Sequence, residues 1–368
     1  MTEPVKSNTK RIAILIENDV EDMEFQIPYN ALSRAGAEIT VLGSRTNETY
    51  RGKQGKLAQK ADATTTDARA EDFDAVIIPG GHAPDAMRTN MKTVRFVQDA
   101  VESGAIVAAV CHGPQVLIEG DLLRGKRATG FRAIRKDMEN AGANFSDEPL
   151  VVDGNLITAR RPGDLPIFTT AILNRLGLSY KNTHLPNETD ANNQAWLELA
   201  EEWGGSTKAE VVDAINTAIR GERYAHTAFE HYAEKAADER LKETFKDIAA
   251  NKQRHIGLLE ARLAQLGAQE SMQAAGSGAY ATLKSWLQSS NETSLLQRAL
   301  GDLQTGVVDT YNLRNQLTDP VTVQIFDDME VQIAKDEQRI ADLLHARTRA
   351  EGADSKPASP TTGSAVTA

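Results

Sequence analysis

The chain has 368 residues, 40% of them hydrophobic and 25% charged, so it is long enough for two domains that each bury a core, and its composition is that of a globular protein. A single cysteine excludes an intramolecular disulfide and fits a reducing compartment. The net charge of −11 is uneven: residues 1–180 (24 acids, 22 bases) carry −2 and residues 181–368 (28 acids, 19 bases) carry −9. With that acidity and no basic stripe, nucleic acid is not an expected partner. The first ten residues are polar, and apolar runs such as Ala105–Cys111 are too short to cross a bilayer, so a cytoplasmic protein without membrane contact is expected.

Up to Tyr180 short apolar runs alternate with amphipathic stretches. Ile12–Ile16, Glu38–Leu42, Ala75–Ile78, Ile106–Val110 and Leu156–Ala159 are rich in Val and Ile and read as buried strands. Between them, Phe25–Ala35, Thr93–Glu102 and Asp164–Leu176 read as helices that stop at or just before a glycine. This alternation predicts an α/β fold, a doubly wound parallel sheet of flavodoxin-like or glutamine-amidotransferase-like type, over residues 10–180. The stretch Tyr50–Thr66 reads as a small antiparallel excursion.

Residues 181–206 read as a linker with a short helix near Trp196–Trp203. From Thr207 the strands vanish. Thr207-Lys-Ala-Glu210 has capping-box spacing, and Asp319-Pro320 places a cap and an N1 proline. Helices are expected at about 208–236, 239–266, 291–317 and 320–349, with a shorter one near 278–289. They form an all-α four-helix bundle over 207–349. A shift of 80 or 81 residues lays Gly221 on Gly301 and Phe245 on Phe326, a weak internal repeat. Residues 350–368 are small and polar, and disorder is expected there.

The sharpest feature is Ile106-Val-Ala-Ala-Val-Cys111-His-Gly-Pro-Gln115, a buried strand running into a cysteine with a helix starting about two residues later. Such an elbow forces the side chain out at the carboxyl end of the sheet. A helix N-terminus beneath the sulfur is expected to lower its pKa. The competing reading is a small core residue, because free cysteine is commonly buried.

Ala109-Val-Cys-His-Gly-Pro-Gln-Val-Leu-Ile118, with Asp19-Val-Glu-Asp-Met-Glu24, Phe73–Asp85, Val151–Asn155 and Arg160-Arg-Pro-Gly-Asp-Leu-Pro166, resembles the PfpI family of cysteine hydrolases, within the superfamily of the parkinsonism-associated deglycase. The resemblance implies that Cys111 is the nucleophile and His112 its adjacent histidine. It implies that Glu24 contacts the sulfur, that Glu21 is a second acid nearby, and that Asp85 orients the histidine of a neighbouring subunit, hence a homo-oligomer. Gly81 and His112 would supply oxyanion-hole N–H groups, and His82 lines the pocket or lies on a surface loop. Taken alone, Glu21 and Glu24 also read as a solvated acidic turn.

Residues 208–348 resemble ferritin-like bundles but depart from their metal pattern. Lys252 stands three residues before His255, and the fourth helix has no Glu-x-x-His. An apolar core with exposed charges is expected there. The alternative is a degenerate metal site from Glu222, His255, Asp302 and Asp336. His226 and His231 are five apart and share no face. The bundle reads as non-catalytic, and no metal or cofactor is expected.

The function expected is a stress-protective cysteine hydrolase acting on electrophilic carbonyls of small molecules or proteins, as deglycase, glyoxalase-like enzyme or peptidase. The alternative is a redox sensor or chaperone built on an oxidisable Cys111.

Overall fold

The computed structural model describes residues 9–181, 185–269 and 291–354. The helix expected near 278–289 and residues 355–368 of the expected tail lie outside them. The described residues group into two compact units. One runs to Asp213 and includes Arg314–Gln324; the other comprises Ala214–Leu313 and the residues from Ile325 onward.

The first unit runs β1 (Arg11–Leu15), α1 (Asp22–Arg34), β2 (Glu38–Gly43), β3 (Thr49–Arg51), β4 (Ala58–Lys60), β5 (Ala63–Thr64), β6 (Ala75–Ile78), α2 (Ala83–Thr89), α3 (Met91–Glu102), β7 (Ile106–Val110) and α4 (Pro114–Glu119). It continues through β8 (Arg127–Ala128), α5 (Arg135–Asn140), β9 (Asn144–Phe145), β10 (Leu150–Asp153), β11 (Leu156–Ala159), α6 (Leu165–Leu176) and α7 (Ala195–Glu202). Seven strands form one sheet in the order β10–β11–β7–β6–β1–β2–β5. Neighbours pair in parallel except β10, which is antiparallel to β11. The inner strands β6 and β7 are buried at every position, which is why they read as unbroken apolar runs. Helices flank the sheet in two groups: α1 packs on α6, while α2, α3 and α4 pack together.

Three details differ from the sequence reading. Helix α1 begins at Asp22 rather than Phe25, so Glu24 sits in its first turn and not in a preceding acidic loop. The excursion after Tyr50 is half antiparallel: β3 pairs with β4, but β5 leaves to extend the main sheet in parallel beside β2. The Arg160–Pro166 motif is a structural clasp. Arg160 makes bonds of 2.9 and 3.2 Å to Asp164 and 3.1 Å to Asp147, and Arg160 and Arg161 both bond Gln324 of the returning connection.

Four long helices follow: α8 (Lys208–Lys235), α9 (Glu239–Gln265), α10 (Glu292–Asn315) and α11 (Pro320–Asp354), the last running beyond its expected end at 349. The caps read from sequence are formed. Thr207 N–H donates to Glu210 (2.8 Å), whose own N–H donates back to Thr207 Oγ1 (3.2 Å), and Thr322 N–H donates to Asp319 (3.1 Å). Among the described residues no helix is long and apolar enough to cross a membrane.

The core of the second unit corrects the sequence reading, because Glu222, Lys252, His255 and Asp336 are all buried. Glu222 accepts from Lys252 Nζ at 2.9 Å and is bonded to His255 Nδ1 at 2.7 Å, so its charge is neutralised where it lies. Burial pushes the Glu222 carboxyl up, but His255 and Lys252 outweigh this and hold it below the usual range. The four-residue metal set does not assemble. Asp302 accepts from Tyr232 and Asp336 from Asn251, and no cluster of three or more His, Cys, Asp or Glu suited to a metal occurs among the described residues.

Apolar packing in this unit centres on Phe229, Tyr232 and Phe245, with ring centroids 5.4 to 6.0 Å apart. Phe245→Ala is expected to cost about 3–5 kcal/mol, measured as an earlier chemical-denaturation midpoint of helical circular dichroism.

Candidate active site

Cys111 follows β7 directly and adopts φ 60°, the left-handed region that a side chain enters only at a cost. Three bonds hold it there. Its N–H donates to Ala159 O at the end of β11 (3.0 Å), its carbonyl accepts from Phe131 N–H (2.9 Å), and Gly113 N–H closes the turn on Val110 O (2.8 Å). A Cβ on Gly113 would lie 2.3 Å from Ile78 O, so only glycine lets helix α4 start this close to β6. The strand-to-helix elbow expected from the sequence is therefore formed, and Cys111 is 8% exposed.

Glu24 arrives from the first turn of α1 and is wholly buried. Its Oε2 accepts from Gly80 N–H at 2.7 Å. Its Oε1 is buried without a hydrogen-bond partner among the described residues, and the Cys111 side chain lies against the carboxyl group. Gly80 makes the approach possible, because a Cβ there would stand 2.7 Å from Glu24 Oε2 and 2.9 Å from Cys111 Cβ.

Burial pushes the Glu24 carboxyl well above the carboxylate range, and the charge on Glu21 adds to this. Burial likewise pushes the Cys111 thiol up, with Glu24 and Glu21 adding and Lys53 opposing. The lowering expected from helix α4 is thus outweighed by desolvation and by acids nearby. Two anions in this space repel each other, so burial and the charge on Glu21 both favour the protonated form of Glu24. In that form its O–H is a donor for the sulfur, and its repulsion of a thiolate vanishes.

Glu21 lies one step outward and pairs with Lys53 Nζ at 2.7 Å. Burial pulls the Lys53 ammonium down, but Glu21 outweighs it and holds its pKa above the usual value. The turn bearing Lys53 is fixed by Asp22, whose carboxylate accepts three backbone N–H groups, from Gln54 (2.8 Å), Lys56 (2.8 Å) and Leu57 (2.7 Å). Lys53 N–H also donates to Val20 O at 2.9 Å.

His112 is half-buried and stacks on Phe131 with centroids 5.2 Å apart. Burial holds it below the usual imidazole value, opposed by Asp85 and reinforced by Lys53 and His82. Asp85 and His82 are exposed at the start of α2, so the charge of Asp85 already reaches His112 within one chain. Among the described residues no backbone carbonyl accepts from the N–H of Gly81 or of His112, which leaves both as donors.

Every sequence-derived site residue, namely Cys111, His112, Glu21, Glu24, Gly81, His82 and Asp85, thus lies at the carboxyl ends of β1, β6 and β7 or in the turns beside them. Lys53 and Asp22 were missed. Neither sits in a motif with the cysteine, and only the folded β3–β4 turn brings Lys53 to Glu21.

A model described as the DJ-1/PfpI family matches residues 10–175. The Escherichia coli (strain K12) protein named protein/nucleic acid deglycase 2 is 41% identical over 170 residues, which cover 46% of this chain and 99% of that protein. The chain belongs to the DJ-1/PfpI family. Another family relative, a Bacillus subtilis (strain 168) protein bearing the cysteine-protease name YraA, is 43% identical over 168 residues, covering 46% of this chain and 99% of its own. Residues 210–301 match a second model, described as a domain of unknown function. A crystal structure from Anabaena variabilis, of a two-domain protein containing DJ-1/ThiJ/PfpI-like and ferritin-like domains, is 54% identical with a TM-score of 0.86 and covers 97% of this chain and 100% of that one.

Two outcomes follow from the charges. Lys53 draws the thiol pKa down, so Lys53→Met is expected to slow iodoacetamide alkylation of Cys111 at pH 7–8 and move its pH midpoint upward. Glu24 has a folded pKa raised above its unfolded value, so its stabilising contribution is full at acid pH and is lost as pH rises through the folded pKa. Against a Glu24→Gln variant, which stays neutral, the melting temperature of the native protein is expected to fall progressively as the buffer becomes alkaline.

Proposed function

We propose that this chain is a cysteine-dependent hydrolase of small α-oxoaldehydes and of their early adducts with amines, combining glyoxalase-like and deglycase chemistry. The observation that carries this reading is the pairing of a strained Cys111 with a buried acid, Glu24, one of whose carboxyl oxygens has no hydrogen-bond partner among the described residues.

Cys111 in its thiolate form adds to the aldehyde carbon, the carbonyl electrons move to oxygen, and the proton of Glu24 follows, giving a hemithioacetal and leaving Glu24 ionised. The N–H groups of Gly81 and His112 hold the developing oxyanion, each worth about 3 kcal/mol when aligned. With an amine adduct, sulfur displaces the amine at the carbinol carbon and the Glu24 proton leaves on nitrogen, giving the same hemithioacetal. Glu24 then takes the proton from the sulfur-bearing carbon and returns one to the adjacent carbon, which converts the hemithioacetal to a thioester. Water adds to the thioester and gives its proton to Glu24, sulfur leaves, and a 2-hydroxy acid is released. The sum is oxoaldehyde plus water to hydroxy acid, with no external oxidant.

Methylglyoxal is the probe for the test. Cys111→Ser is expected to abolish formation of lactate, and Glu24→Gln to lower kcat/KM by about 10²–10⁴-fold with the fold intact. Turnover that survives in Cys111→Ser would overturn the reading. So would a native protein that oxidises stoichiometrically to sulfinate at Cys111 under mild peroxide yet shows no carbonyl turnover, the behaviour of a sensor.

A further inference from the structure

The helical unit carries a partly open cavity of about 380 Å³ that the chemistry above does not use. That volume lies within the ordinary range for small-molecule sites, about 300–1,000 Å³. Its polar groups come from three helices. Lys252, 2% exposed, lines it from α9. Among the described residues its ammonium has one acceptor, Glu222 Oε1 at 2.9 Å. An ammonium has three donors, so two are left for an occupant. Asp302 lines it from α10; its Oδ2 accepts from Tyr232 at 2.8 Å, and among the described residues no group donates to its Oδ1. Burial pushes the Asp302 carboxyl up, opposed by the hydrogen bond from Tyr232 and by the charge of Lys252.

Glycine makes the room. Gly221 in α8 and Gly306 in α10 both line the cavity. A Cβ on Gly221 would meet no atom within 4 Å, and one on Gly306 nothing nearer than 3.6 Å. Glycine inside a helix is destabilising relative to alanine, and here alanine would fit. These glycines therefore relieve no clash; they keep space open.

Charge selects the occupant. Three carboxyl groups line the cavity, those of Glu222, Asp302 and the exposed Asp309, against the one lining ammonium, that of Lys252, a balance that disfavours phosphate or carboxylate ligands. A divalent metal would meet the ammonium of Lys252. We propose that this cavity binds a small primary amine carrying an oxygen acceptor on the neighbouring carbon, its ammonium on Asp302 Oδ1 and its oxygen on Lys252 Nζ. Aliphatic parts of such a molecule lie against Ala218, Leu313 and Met329.

The test is calorimetric titration of the full chain with ethanolamine in the Cys111→Ser background, so that carbonyl chemistry does not enter and the two readings fail separately. Saturable binding is expected, with a rise in the helical melting transition of about 5 °C at a hundredfold excess over Kd. Asp302→Asn, which keeps an acceptor for Tyr232, is expected to weaken binding by about tenfold or more. Gly221→Leu is expected to fill the space and abolish binding with helix content unchanged; Gly306→Val serves if that variant does not fold. Absence of saturable binding up to millimolar ethanolamine, or equal binding by Asp302→Asn, would overturn the proposal. Equal affinity for ammonium chloride or zinc chloride would do the same.

Discussion

The burial of two acidic groups, the Glu24 carboxyl and the Cys111 thiol, against each other is the constraint on which the α/β site depends. The carboxyl is wholly buried, the thiol nearly so, and the backbone at Gly80, just past β6, is packed so closely against both that a Cβ there would clash with each. In such a place the two groups do not ionise together, and whichever carries the charge makes the other a proton donor. The rest of the site regulates that exchange. Gly80 N–H fixes one carboxyl oxygen and leaves the other without a hydrogen-bond partner among the described residues, and the Lys53–Glu21 pair acts on both groups from outside. Asp22 acts one layer further out, by holding with three backbone bonds the turn that presents Lys53.

The helical unit meets the same problem with a different solution. Glu222 is as buried as Glu21, yet both its oxygens are engaged, by Lys252 and His255. A carboxylate satisfied in this way is held ionised and has no proton to give, so it serves packing and polarity, not acid catalysis. Glu24 has one oxygen unspent, and this difference in hydrogen-bond accounting separates a chemical carboxyl from a structural one. Among the described residues the four side chains that could have formed a ferritin-like metal set are engaged with other partners instead. With Lys252 beside Glu222, an ammonium already supplies the positive charge.

The elbow at Cys111 ties the site to the far end of the sheet. Its N–H is held by the last residue of β11, and the next residue, Arg160, begins the clasp to Asp164, Asp147 and Gln324. A motif that reads in the sequence as part of a catalytic family signature is, in the fold, a buried ion network that fixes the strand end behind the nucleophile. Strain at φ 60° persists because these bonds over-determine it.

Sequence alone determined the elements whose signal is local. Buried runs of Val and Ile gave the inner strands, Thr207–Glu210 and Asp319-Pro320 gave the helix starts, and the strand–Cys–His–Gly–Pro order gave the elbow. Each depends on residues within about ten positions of one another, where periodicity and capping chemistry act. Tertiary structure decided what depends on residues far apart in the chain: that Glu24 is wholly buried beside Cys111 while Glu21 pairs with Lys53; that Lys53 arrives from a separate hairpin; that burial and nearby acids raise the thiol pKa; and that charged side chains are buried within the helical unit. Desolvation and Coulomb energy are set by what surrounds a group in space, and only the folded chain brings those surroundings together.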